Sequence, residues 1–159
     1  MNEHDFEHRV LAAQGYTELG MFADALAELD GIEKIAAPQQ PAILEMRVLI
    51  LMRMKKWRNA LELSRQLCEA APESGAGFVH AAFCLHELGR SADASAVLRA
   101  GPLSLQTEPV FHYNLACYEC ALGNLDEART HLARSFSMDK KYRDFAKNDP
   151  DLEPLRRDD

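Results

Sequence analysis

A chain of 159 residues with a formal net charge of −7 can enclose one ordinary core, or a short array of units sharing one apolar seam, and two independent globular domains are not expected. Apolar residues make up 47% and charged residues 27%, which excludes the disordered polar and acidic classes. The acid excess repels phosphate backbones and anionic membranes, and the basic residues are dispersed, so neither nucleic acid nor a membrane is expected as a partner.

The chain opens Met-Asn-Glu-His-Asp-Phe, acidic and without a following apolar run ending in small residues, so a cytoplasmic setting is expected. His4 and His8 stand one helical turn apart beside Asp5 and Glu7, the pattern of a solvated first turn. Val10, Ala13, Tyr16 and Leu19 then recur at helical spacing, Gly20 breaks the helix, and Ala25, Leu26, Leu29 and Ile32 restart the period, predicting two antiparallel helices. Leu44, Val48 and Leu51 follow Pro41; Lys55-Lys56-Trp57 makes the next turn before Ala60, Leu61, Leu63 and Leu67, and Pro72 ends that helix. The most apolar stretch, Ile43 to Met54, is broken by Glu45, Arg47 and Arg53 and is too short to span a bilayer.

A third pair carries Phe78, Ala81, Ala82 and Leu85, a turn at Gly89-Arg90-Ser91, then Ala94, Val97 and Leu98 before Gly101-Pro102, which predicts a short second helix. The fourth runs from Tyr113-Asn114-Leu115-Ala116-Cys117-Tyr118 through Leu122-Gly123-Asn124 to Ala128, Leu132, Ser135 and Phe136. Asp126 and Glu127 suit a helix N-terminus, where negative charge opposes the dipole. Beyond Met138 the pattern changes, and Phe145, Leu152 and Leu155 are expected to cover the apolar face that the last pair leaves open.

Ala25, Ala60, Ala94 and Ala128 recur at intervals of 35, 34 and 34 residues, each five residues after the turn positions Gly20, Lys55, Gly89 and Gly123. A period of that size means stacked helical hairpins. The run YNLACYECALGNLDEA resembles the tetratricopeptide repeat, and matching units cover roughly residues 6 to 142. The expected architecture is all-α: one repeat domain of four antiparallel helix pairs (6–39, 41–74, 75–108 and 109–142) with a C-terminal cap (143–159). The resemblance implies a right-handed superhelix. Small residues at the helix contacts let the axes approach. Lys55 in place of glycine, and Ser64, Gly101 and Glu119, depart from the pattern.

The resemblance also implies that first helices line a concave groove for a peptide. The groove positions are Val10, Gln14 and Thr17; Met46, Leu49 and Arg53; His80, Phe83 and His86; and Tyr113, Asn114 and Cys117. Leu49, Phe83 and Tyr113 would supply contact area, Arg53 and Asn114 polar orientation. The same apolar residues could instead fill space between helices or cover a self-association surface. The clamp of lysines, asparagines and arginines by which some members grip acidic chaperone tails is absent, since only Asn114 fits while Leu11, Met46 and His80 stand at the equivalent places. A non-catalytic protein-binding module is expected, with no cofactor, and a self-associating subunit forming a homodimer is the alternative.

A second alternative places a metal or a reaction at His80, His86, Cys117 and Cys120, with Cys84 nearby. Against it, a Cys-x-x-Cys within a helix lacks the loop that wraps structural zinc. The four cysteines, at 68, 84, 117 and 120, read as reduced thiols. Glycine-rich phosphate loops, nucleophile elbows and His-Glu-x-x-His pairs are all missing from the sequence.

Overall fold

The computed structural model describes residues 2–32 and 40–157; the expected junction between the first two units and the last two residues of the cap lie outside them. The described residues form four helix pairs: α1 (Glu3–Glu18) with α2 (Phe22–Asp30), α3 (Gln40–Arg53) with α4 (Trp57–Ala70), α5 (Ala76–Glu87) with α6 (Ser91–Arg99), and α7 (Pro109–Ala121) with α8 (Leu125–Met138). A tail follows, with α9 (Lys141–Lys147), a 3-10 turn at Pro150–Leu152 and α10 (Glu153–Arg157). No strand occurs among the described residues.

Each pair is closed by the same six-residue loop. Gly20, Gly89 and Gly123 have φ of 74°, 78° and 81°, and Lys55 takes the same left-handed conformation at 58°. The residue after each donates its amide back five positions, Met21 to Tyr16, Lys56 to Leu51, Arg90 to Leu85 and Asn124 to Glu119, at 2.8–2.9 Å. The left-handed residue itself donates to Thr17, Met52, His86 and Cys120 respectively. These bonds satisfy carbonyls that a helix end otherwise leaves orphaned. Lysine at position 55 keeps the bonds and carries the steric cost of a Cβ there.

Met21, Lys56, Arg90 and Asn124 are the N-caps of the second helices, and their carbonyls accept the amides of Ala25, Ala60, Ala94 and Ala128 respectively. All four alanines are 0% exposed, as are Ala13, Ala82 and Ala116 opposite. Two departures from the repeat have local reasons. Ser64 is fully buried but donates to the Ala60 carbonyl at 2.7 Å, and α5 comes so close that a Cβ on Gly77 would lie 2.9 Å from the Ser64 carbonyl oxygen. A Cβ on Gly101 would lie 2.6 Å from Leu105, the buried wedge of a 3-10 turn at Leu103–Thr107. That turn lets α6 stop short.

Glu119 is the third departure. Only 4% exposed, it accepts hydrogen bonds from Ser95 at 2.8 Å, Asn124 at 2.7 Å and Arg99 at 3.3 Å. Burial opposes its charge, yet the bonds from Asn124, Ser95 and Arg99 prevail and hold its carboxyl below the usual range. In the tail, Leu152 and Leu155 are buried as expected, whereas Phe145 is 57% exposed. α9 buries no residue of its own, and Tyr142 instead stacks beside Tyr113, ring centroids 5.3 Å apart. Replacing Lys55 with glycine should raise stability by about 0.5–1 kcal/mol, while Ala94→Leu should cost about 1–3 kcal/mol by overpacking. Denaturant midpoints at constant slope measure both.

Candidate functional site

The first helices α1, α3, α5 and α7 share one face, and its two halves differ. Between α1 and α3 an open cavity of about 410 Å³ is lined by Gln14, Thr17, Glu18, Met46, Leu49 and Ile50. Leu49 is 42% exposed there. Val10 and Met46 pack against the core of Ala13, Ala25, Leu29, Ile32, Ile43 and Ile50, and of the two only Met46 lines the cavity. Thr17 donates its hydroxyl to the Ala13 carbonyl at 2.7 Å. Arg53 is engaged within the fold: it donates to the Thr17 carbonyl at 2.7 Å and stacks over Phe22 at 5.4 Å.

Farther along, His80 pairs with Glu45 on α3 at 3.1 Å, and Phe83 is half-buried beside Trp57, 5.9 Å between centroids. Asn114 is half-buried on α7. Tyr113 and Cys117 are buried, because the tail crosses them. The Tyr113 hydroxyl donates to Asp149 Oδ2 at 2.6 Å, and the Cys117 thiol lies 3.9 Å from the same oxygen. His86 on α5 reaches Asp151 through Nε2 at 3.0 Å and Ser91 through Nδ1 at 2.9 Å. Asp149 Oδ1 caps the Asp151 amide at 3.0 Å, so the tail arrives as a preformed turn.

The metal alternative at His80, His86, Cys117 and Cys120 does not form. No three of those donors come within 4.8 Å of one another; among the described residues that condition is met by Cys117, Asp149 and Asp151. Helical spacing places side chains on a face but does not make them converge, and each histidine already has a carboxylate partner. Burial pushes the Cys84 and Cys120 thiols up to about 11; Cys117 rises further, from burial first and then from Asp149 and Asp151. Such thiols are poor nucleophiles near neutrality.

Sequence reasoning passed over Asp149 and Asp151 as groove occupants. Their signal was an aspartate before proline, which reads only as a turn. It also missed a histidine pair between α7 and α8. His112 Nε2 lies 2.9 Å from the Gln106 carbonyl, which can only accept, so Nδ1 of His112 accepts from His131 Nδ1 at 3.0 Å. Burial lowers both pKa values.

No protein-family model matches the chain, and no curated protein matches its sequence. Thirteen chains of solved structures do match. MamA residues 41 to the end from Desulfovibrio magneticus RS-1 aligns at 16% identity over 89% of this chain and 81% of that one, with a TM-score of 0.72. A MamA RS-1 ArsTM double mutant aligns at 14% identity over 93% and 80%, with a TM-score of 0.70. At such identities the likeness concerns fold: a tetratricopeptide-repeat-like array of helical hairpins.

The bond to Asp151, foremost, raises the His86 pKa in the fold. Its contribution is therefore full below the unfolded value of about 6.5 and is lost as pH rises through the folded value. The His112 and His131 shifts run oppositely, and comparison between variants removes them. The melting-temperature gap between wild type and His86→Gln should be widest near pH 6 and narrow by about pH 9. A gap that ignores pH would mean the charged pair contributes nothing.

Proposed function

We propose that this protein is a non-catalytic binding module that receives a peptide or partner protein on the α1–α3 half of its first-helix face. The observation that carries this reading is Leu49, 42% exposed beside the open 410 Å³ cavity, in a fold whose other half is covered by its own tail. An apolar side chain rimmed by Gln14, Thr17 and Glu18 suits the apolar anchor of a partner segment, with polar groups at the margin fixing its direction. Elevated thiol pKa values and histidines engaged by carboxylates favour binding over catalysis.

The whole chain acts as one repeat domain in this reading. A cytoplasmic setting accords with four free cysteines, and no described helix is long and apolar enough to cross a membrane. Self-association is the second reading, favoured by Leu11 and Leu19 at 66% and 74% exposure near the first hairpin. Peptides selected on the wild-type chain should bind Leu49→Asp more weakly by about tenfold to a hundredfold, the worth of one buried leucine, with an unchanged melting curve. Equal affinity would overturn the assignment. Light scattering over a concentration series separates the two readings, because a dimer abolished by Leu11→Asp would favour self-assembly.

A further inference from the structure

The tail does more than close the end of the stack. A cap needs apolar cover, which Leu152 and Leu155 supply. It does not need two carboxylates reaching separate first helices, yet Asp149 engages Tyr113 and Cys117 on α7 while Asp151 engages His86 on α5. These three donors occupy groove positions, and Cys117 stands where the open half carries Gln14 and Leu49. The segment thus lies on the face as a bound peptide would: a carboxylate, a spacing residue, a second carboxylate, then a leucine 1% exposed.

We propose that the α5–α7 surface is a recognition site for an Asp-x-Asp-Leu segment, filled in cis by residues 149–152 and open to a partner protein bearing such a segment when the tail lifts. The tether is lightly held, because α9 fully buries none of its side chains and rests on the core through the partly buried Tyr142 and Ala146. Arg156, which secures the turn, donates to the backbone carbonyls of Ala146 and Asp149 and pairs with Glu153 of the tail itself, so it holds the tail to itself and not to the first helices. Once the tail leaves, the Tyr113 hydroxyl and His86 Nε2 lose their acceptors, and a second acidic segment restores them. The inference rests on reading the first-helix face as a peptide-binding surface, but not on the α1–α3 half.

The test uses the full chain with its own segment weakened, Asp149→Asn with Asp151→Asn, and a fluorescein-labelled peptide spanning residues 147–157. Anisotropy should show saturable binding to this variant and binding at least a hundredfold weaker to wild type, where the tethered segment competes at roughly millimolar effective concentration. Adding His86→Ala to the variant should lower affinity at least tenfold, while adding Leu49→Asp should leave it unchanged. A folded variant that ignores the peptide, or binding equal to wild type, overturns the proposal; sensitivity to Leu49→Asp alone would move the peptide to the other half and also overturn it. Should the double variant fail to fold, hydrogen exchange on wild type decides. Amides of Asp151, Leu152, Glu153 and Leu155 opening well before those of α7 support the proposal, and exchange only through global unfolding refutes it.

Discussion

Everything in this fold depends on one backbone conformation repeated at four places. A left-handed residue ends each first helix, and the next residue's amide bonds back five positions. This fixes the direction in which the second helix departs and places an alanine at its first closed turn. Only a side chain as small as alanine fits there, because the first helix passes directly opposite. Hairpin geometry, and from it the alignment of α1, α3, α5 and α7 on one face, follows from that local arrangement. The recurrence of the loop at Lys55, where the conformation is costly, shows how strongly the surrounding packing demands it.

What was legible in the sequence is what is local. Turn position, alanine position and helix period involve residues within about one or two turns of each other, so their spacing carries the information. The pairing of Glu119 does not. Its partners Ser95 and Arg99 lie 24 and 20 residues away on α6, and nothing in the local pattern marks them. By itself Glu119 reads as a flaw in a helix face; with its three donors it is a polar tie among α6, α7 and the following turn. Removing one donor would leave a buried carboxylate short of compensation, the costly case for such networks.

The cap shows the same limit from another direction. Phe145 and Tyr142 are both aromatic and three residues apart, so composition alone cannot say which will face the stack. The answer depends on how α9 leaves α8. It lies against the array through Tyr142, leaving Phe145 exposed beside the Tyr142 ring. Likewise helical spacing can assign residues to a first helix, but the tail's path over Tyr113, Cys117 and His86 is a long-range event. Asp149 donates no pattern to the sequence beyond a turn before proline, although its carboxylate organises that end of the face.

The repeat is therefore regular in its frame and irregular in its chemistry, and this difference has a consequence for selectivity. At the place where α7 offers a thiol to a carboxylate, α3 offers Leu49. A carboxylate over Leu49 would lose water without gaining a donor, so the α1–α3 half disfavours the segment that the α5–α7 half accepts. An apolar anchor faces the converse problem beside Tyr113 and His86, whose polar atoms it would leave unsatisfied. On the proposed reading, one scaffold thereby carries two surfaces that exclude each other's ligands. The tail, by filling the polar surface, leaves the apolar one as the face open to solvent.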